Sequence, residues 1–170
     1  VKYDKNFRIP SNNIEFLIYG FGSDGMVSAS KDIMKITGTY TNAYVQGYFQ
    51  YDSKKSGGVT ISNLRFGKKP IKSTYYVEKA SLIVCTKDSY LRRMKMLEKI
   101  KNKGVFVLNT TKSPDEVLAS MSAHDKKILR DRSVKMFIIN ATKKAEDAGI
   151  AGKISAIMEA LIFKFCLLYT

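Results

Sequence analysis

LIYGFGSDGMV, residues 17 to 27, is an apolar run that leads directly into three glycines with the spacing G-x-G-x-x-G. After a strand this spacing is typical of a phosphate-binding turn: Gly20 permits the turn, Gly22 lets the backbone approach a ligand, and Gly25 brings helix and strand together. The amides at the start of the following helix then face the phosphate. The spacing alone is a weak signal, and the Asp24 carboxylate could cap the same amides and repel an anion. A structural turn without a ligand is therefore an equal alternative.

Outward from this stretch, strand-like apolar runs alternate with segments of helical periodicity. Strands are predicted over 14–19, 43–51, 59–64, 80–85, 105–108 and 134–139. Helices are predicted over 23–35, over 89–101, from a capping box at 113–116, over 124–132 and over 152–169. Strands separated by helices of this size imply βαβ crossovers. We therefore predict one α/β domain over residues 1–170, with a Rossmann-like, mostly parallel sheet and helices on both faces.

The segment 152–169 differs from the other helices because it has almost no polar face. We expect it to form a buried C-terminal helix. It is covered either by the core of this domain or by a partner that docks on it, and these are equal alternatives. A membrane span needs about 20 consecutive apolar residues, and Glu159 and Lys164 interrupt this segment. No signal peptide is recognised, so a soluble, cytoplasmic protein is expected. The start at Val1, without an initiator methionine, suggests a domain excised from a larger protein.

The composition limits which partners and which kinds of site are expected. The 29 Lys and Arg residues outnumber the 15 Asp and Glu residues, and the net charge of +14 favours anionic partners. Cys85 and Cys166 stand far apart without a C-x-x-C partner, which argues against a thiolate-held zinc or iron–sulfur site. No Ser/His/Asp set or metal-spaced cluster is visible, so we predict no catalytic residue and no metal ligand here. A basic nucleic-acid-binding module is an alternative motivated by the charge and the tyrosines, although the tyrosines alternate along a predicted strand.

The sequence allows two interpretations of which ligand the glycine turn binds. A nicotinamide site needs an acidic residue about 20 residues beyond the glycines, and Asp52 is the only candidate. Lys54, Lys55 and Ser56 follow it directly and suit a phosphorylated ribose or another phosphate better than a free diol. A stand-alone dinucleotide-dependent oxidoreductase and an exposed polar turn with solvated lysines both stay open at this point.

Longer blocks of sequence resemble a known family. The stretches YGFGSDGMVSASKD (19–32), QGYFQYDSKKSGGVTISNLRFGKKPIKSTY (46–75), GVFVLNT (104–110) and AGIAGKISAIMEALIFK (148–164) are similar to the central domain of pyruvate:ferredoxin or flavodoxin oxidoreductases. Relatives that reduce NADP share this domain. The resemblance covers nearly the whole chain, and the block around YFQYDSKKSGGVTISNLRFG is its most specific part.

The resemblance implies a function for the whole enzyme and a role for this chain. Such enzymes decarboxylate pyruvate oxidatively on thiamine diphosphate and pass electrons through iron–sulfur clusters to ferredoxin, flavodoxin or NADP, yielding acetyl-CoA. The similar domain, called gamma in multi-subunit forms, helps to bind coenzyme A (CoA), while other domains hold the thiamine and the clusters. The implied partners are the other domains of a homodimeric enzyme, without nucleic acid or membrane. The chain alone is expected to be inactive.

The resemblance also implies a set of CoA contacts. These contacts are the glycine loop, the basic turn with a neighbouring arginine, and the tip of a strand expected beside the first: Gly22, Ser23, Asp24, Gly25 and Met26; Lys54, Lys55, Ser56 and Arg65; Asn109 and Thr110. Many relatives carry a small hydroxyl residue where Met26 stands, which weakens the assignment of this position.

Overall fold

The computed structural model describes residues 11–52 and 58–167, with the backbone alone at 166 and 167. The strands are β1 (Ile14–Phe21), β2 (Tyr44–Tyr51), β3 (Val59–Gly67), β4 (Ala80–Cys85), β5 (Ile100–Asn109) and β6 (Lys135–Ile139). The helices are α1 (Met26–Tyr40), α2 (Ser89–Arg93), α3 (Pro114–Ser120), α4 (Ala123–Asp131), α5 (Ala141–Asp147) and α6 (Ile154–Ile162). A 3₁₀ turn (Met96–Lys99) precedes β5, and a π-helical turn (Phe163–Leu167) follows α6.

The strands form one sheet in the order β2-β3-β1-β4-β5-β6. β1, β4, β5 and β6 are mutually parallel, and β3 runs antiparallel to both of its neighbours. Residues 52–58 are too few for the crossover that a parallel β2–β3 pair would need, so the two strands form a hairpin. The predicted mostly parallel α/β sheet is confirmed, with one antiparallel strand inserted beside β1.

Both faces of the sheet carry a hydrophobic core, because successive side chains of a buried strand point to opposite faces. Phe16 and Ile18 of β1 pack with α1, α5 and α6 on one face. Leu17 and Tyr19 pack with α2, α3, α4 and the 3₁₀ turn on the other. The predicted helix cover on both faces is therefore confirmed.

The helix predicted over 89–101 is wrong beyond Arg93. The chain becomes extended after α2, makes the short 3₁₀ turn and enters β5 at Ile100. The apolar residues do recur at helical spacing, but Met96 and Leu97 are adjacent and both are 1% exposed. Burying two successive side chains against the sheet outweighs the local helical preference.

Gly104, predicted to end that helix, instead lies inside β5. The strand bulges here: Ala80 pairs with Ile100 and Leu82 with Val105. Lys103 takes a left-handed φ of 57°, and a Cβ on Gly104 would stand 2.7 Å from Cγ1 of Ile100. The glycine is therefore required by the crowded bulge.

Other boundaries moved less. α1 starts three residues later than predicted and continues past Gly38, which was expected to end it. α5 was not predicted. The capping box of α3 is present, with Ser113 accepting from the amide of Glu116 and the Glu116 carboxylate accepting in return. The predicted C-terminal helix corresponds to α6, which packs on α1 and α5 and buries Met158 and Ile162.

Candidate ligand-binding site

A crevice is expected between the carboxyl ends of β1 and β4. These strands are parallel neighbours, yet α1 follows β1 onto one face and α2 follows β4 onto the other. Divergence of successive helices at such a switch point opens a crevice, which is where open α/β sheets bind ligands. The predicted glycine turn, residues 22–25, lies at this point.

Gly20 and Gly25 have different roles from those predicted, and the ligand approach at Gly22 stays a prediction. Gly20 is the residue of close helix–strand approach, because a Cβ there would stand 2.8 Å from Oγ1 of Thr60 and 3.1 Å from Cβ of Met26. The Gly22 amide donates to the carbonyl of Gly58 (3.0 Å). Gly25 has φ +80°, and a Cβ there would stand 2.8 Å from Oγ of Ser155 in α6.

Asp24 holds the turn in shape. Its Oδ2 accepts from the Phe21 amide (2.6 Å) and from the Thr86 hydroxyl (2.7 Å), and its Oδ1 accepts from the Met26 amide (2.9 Å). The carboxylate therefore caps one α1 amide and bridges the ends of β1 and β4. This capping was the competing role anticipated for Asp24, and its oxygens are turned toward the protein.

Further hydrogen bonds connect the strands along the carboxyl edge of the sheet. Asn109 donates from Nδ2 to the Thr86 carbonyl (3.1 Å) and accepts at Oδ1 from the Ala141 amide (2.9 Å). The Thr110 amide donates to the Ile139 carbonyl (2.9 Å). Strands β1, β4, β5 and β6 are thus joined at one end by side chains that local sequence pattern does not pair, and this rigid edge supports the crevice.

The start of α1 presents unused backbone donors. Among the described residues, no acceptor is found for the amides at Ser23, Gly25, Val27 and Ser28. Ser23 takes a left-handed φ of 77°, as Gly25 does, and both residues are exposed. Free amides at the positive end of a 15-residue helix favour an anion there.

Cationic side chains border the same edge, and the sequence reasoning missed them. The exposed Lys87 lies with Nζ 4.3 Å from the centre of the Phe21 ring. Lys112 contacts Oδ2 of Asp88 at 2.7 Å, and this hydrogen bond lowers the pKa of Asp88. The signal was available: both lysines follow predicted strands at their carboxyl ends, where parallel strands meet.

The structure brings together only part of the predicted contact set. Gly22, Ser23 and Gly25 lie in the turn between β1 and α1, whereas the Met26 side chain is 1% exposed and packs in the core under α1. Asn109 and Thr110 lie at the same edge, but β5 is separated from β1 by β4, so the expectation that their strand lies beside the first is wrong. Lys54, Lys55 and Ser56 lie outside the described residues.

Arg65 is placed at the opposite end of the sheet. β3 is antiparallel to β1, so Arg65 pairs with Glu15 at the start of β1 rather than with the turn. Its guanidinium is buried and contacts Glu15 (3.0 Å), Gln46 (3.0 Å) and the Tyr75 carbonyl (2.8 Å), and Lys101 reaches the same glutamate (3.1 Å). Arg65 is therefore not brought to the crevice, and its role is to neutralise a buried carboxylate.

The strand order argues against the dinucleotide-binding alternative. Asp52 follows β2, and β3 lies between β2 and β1. Neighbouring strands are about 4.8 Å apart, so two strand spacings separate the two strands. In the dinucleotide-binding arrangement the strand that carries the acidic residue is next to the first. The inserted β3 therefore removes the geometric basis for a ribose contact at Asp52.

Within 11–52 and 58–167, no three His, Cys, Asp or Glu side chains gather as metal ligands. In the same part of the chain, no helix is long and apolar enough to cross a membrane. Burial raises the pKa of the Cys85 thiol to about 12, so Cys85 is a protonated core residue.

Comparisons with known proteins agree with the fold. The chain is 45% identical over 155 residues to pyruvate:ferredoxin oxidoreductase of Moorella thermoacetica, covering 91% of this chain and 13% of that protein. The structure of pyruvate oxidoreductase subunit PORC of Thermotoga maritima superposes with a TM-score of 0.70 at 19% identity, covering 91% of this chain and 78% of that one.

A third protein is 2-oxoglutarate:ferredoxin oxidoreductase of Magnetococcus marinus, whose structure contains 2-oxoglutarate, coenzyme A and succinyl-CoA. It superposes with a TM-score of 0.66 at 14% identity, covering 91% of this chain and 24% of that one. The sequence model of the family described as Pyruvate ferredoxin/flavodoxin oxidoreductase matches residues 15–169. With this match over nearly its whole length, the chain belongs to the pyruvate ferredoxin/flavodoxin oxidoreductase family.

Proposed function

We propose that this chain is a CoA-binding domain of a 2-oxoacid oxidoreductase, and that the crevice beside residues 22–25 receives phosphate groups of CoA. The observation that carries the proposal is the set of amides at the start of α1 and just before it that find no acceptor within residues 11–52 and 58–167, at a switch point of the sheet. CoA is a polyanion, so the neighbouring lysines and the net charge of +14 add attraction. The CoA-containing Magnetococcus marinus structure has the same fold over this region, which is consistent with the proposal.

The rest of the reaction is assigned to other domains. The enzyme would decarboxylate pyruvate on thiamine diphosphate and pass electrons through iron–sulfur clusters to ferredoxin, flavodoxin or NADP, yielding acetyl-CoA. An iron–sulfur cluster requires cysteine thiolates, whereas Cys85 is fully buried and no group of metal-binding side chains exists among the described residues. We propose that this chain acts as one domain, residues 1–170, of a larger homodimeric cytoplasmic enzyme and is inactive alone.

A charge change at Ser23 tests the proposal. Ser23 is exposed at a left-handed φ of 77°, and both Asp and Asn tolerate this conformation. In the complete enzyme, Ser23→Asp should raise the KM for CoA about tenfold, equivalent to ~1.4 kcal/mol of added repulsion between nearby charges. Ser23→Asn, which has the same shape without the charge, is the control and should change it less than about threefold. The KM for pyruvate should be unchanged in both variants.

The outcome that contradicts the proposal is a Ser23→Asp enzyme with a normal KM for CoA. A separate calorimetric titration with CoA, 3′-dephospho-CoA, NADP and single-stranded DNA distinguishes the alternatives. Preference for NADP would favour the hypothesis of a dinucleotide-dependent oxidoreductase. DNA binding with a steep salt dependence and no response to CoA would favour the nucleic-acid reading.

The lysine turn has its own test. Replacing Lys54 and Lys55 together by alanine should raise the KM for CoA and leave pyruvate handling unchanged, because two positive charges that would attract a polyanion are lost. An unchanged dependence on CoA would remove these two lysines from the site without affecting the crevice itself.

A further inference from the structure

Two buried hydroxyl groups among the described residues have no hydrogen-bond partner: Oγ1 of Thr37 and Oη of Tyr90. Buried polar side-chain atoms are almost always bonded, since an unpaired one bears its full desolvation penalty. A buried hydroxyl without a partner in the protein therefore needs one from outside it, and a ligand bound nearby can supply that partner.

Tyr90 lies at the carboxyl edge of the sheet. It belongs to α2, which begins just beyond the end of β4, and its amide donates to the Lys87 carbonyl (3.0 Å). The side chain is 4% exposed and packs in the cluster that contains Tyr19 and Cys85. The phenol is thus anchored next to the strand ends that border the crevice.

The surroundings of the hydroxyl indicate what it can bind. Burial raises the pKa of Tyr90; the Asp24 carboxylate, Cys85 and, more weakly, Asp52 add to this, while Arg93 acts in the opposite direction and less strongly than Asp24. The hydroxyl therefore keeps its proton at neutral pH and is a hydrogen-bond donor. Carboxylates at the ends of β1 and β2 disfavour a phosphate group beside it.

We propose that the Tyr90 hydroxyl is a ligand-binding group that donates a hydrogen bond to an uncharged carbonyl oxygen of the molecule in the crevice. This inference rests on the proposed function, in which the α1 amides receive phosphate. The uncharged carbonyl groups of CoA are the amides of its pantetheine arm. The pantetheine arm would therefore lie on the side of the crevice formed by α2, to which Tyr90 belongs.

The test compares Tyr90→Phe with Thr37→Val in the complete enzyme. Each change removes one unpaired buried hydroxyl, but Thr37 lies eleven residues beyond the start of α1, about 16 Å along the helix at 1.5 Å per residue. Tyr90→Phe should raise the KM for CoA about three- to tenfold, the loss expected for one hydrogen bond. Thr37→Val should leave it unchanged, and neither change should lower the melting temperature.

Two inhibitors separate the ends of CoA. Pantetheine should inhibit the Tyr90→Phe enzyme less well than the wild type, whereas inhibition by 3′,5′-ADP should be the same for both. A normal KM for CoA in Tyr90→Phe overturns the inference, as does an equal loss of affinity for 3′,5′-ADP. A melting temperature lowered by several degrees also overturns it, because the hydroxyl would then have an internal partner.

The Ser23→Asp enzyme keeps the two proposals distinguishable. A raised KM for CoA in Ser23→Asp together with a normal value in Tyr90→Phe overturns the Tyr90 inference alone. Normal values in both overturn the proposed function, and the inference with it.

Discussion

The carboxylate of Asp24 should stabilise the chain through three hydrogen bonds, and Asp24→Asn isolates this contribution. Oδ2 accepts from the Phe21 amide at 2.6 Å and from the Thr86 hydroxyl at 2.7 Å, and Oδ1 accepts from the Met26 amide at 2.9 Å. In the asparagine, the amide oxygen can serve the Met26 amide. The Thr86 hydroxyl can rotate and accept from the new NH₂ group.

The Phe21 amide would lose its acceptor, because it would face an NH₂ group, which is itself a hydrogen-bond donor. A partly buried donor without an acceptor costs about 1–3 kcal/mol, and the loss of charge on the two surviving bonds adds to this. The expected destabilisation is ~2–4 kcal/mol. For a chain of this size that corresponds to a melting temperature lowered by about 5–15 °C.

Urea and thermal unfolding of this chain, followed by circular dichroism, measure the effect. Asp131→Asn is the matched control, because Asp131 is exposed and contacts only the neighbouring Arg130 among the described residues. A surface change of this kind should stay within about 0.5 kcal/mol of the wild type. An Asp24→Asn protein as stable as the Asp131→Asn protein would refute the role of the carboxylate in holding the turn.

Three further predictions concern the rest of the chain. Ser113→Ala should lower the free energy of unfolding by about 1 kcal/mol, because the side chain caps α3; urea unfolding measures it, and no change would contradict the capping box. Burial, with a smaller effect of Asp32, raises the pKa of Glu159, so its ionised form opposes folding. Glu159→Gln should therefore raise the melting temperature at pH 7 but not near pH 3, where both states are protonated, while the exposed control Glu146→Gln should do neither. Burial raises the pKa of Cys85 from 9.0 to about 12, so its contribution to stability is complete below pH 9 and is lost as the pH rises toward 12; alkaline unfolding should be less pH-dependent in Cys85→Ala.

Several features were predictable because their causes are local. The apolar run before Gly20 and the alternating residues of β2 predict strands from a period of two. The capping box at Ser113 needs only residues within one turn of helix. The glycine spacing at 20, 22 and 25 correctly placed a tight turn between β1 and α1.

The failed predictions depended on contacts distant in sequence. The spacing of Leu91, Met94, Leu97 and Ile100 satisfies a helix, and only burial against the sheet reveals the extended path into β5. Arg65 looks like an exposed cation near a basic turn, but the antiparallel direction of β3 carries it to Glu15 at the other end of β1.

The sequence by itself determined the fold class, the position of the turn and the family, since periodicity, glycine spacing and long blocks that resemble a known family all lie along one chain. The tertiary structure alone decided which strands are neighbours, that Asp24 bonds to Thr86, and that the Tyr90 hydroxyl is buried without a partner among the described residues. The physical reason is that a side chain's hydrogen-bond partners and solvent exposure are set by residues dozens of positions away. Strand order brings those residues together, and no local pattern encodes it.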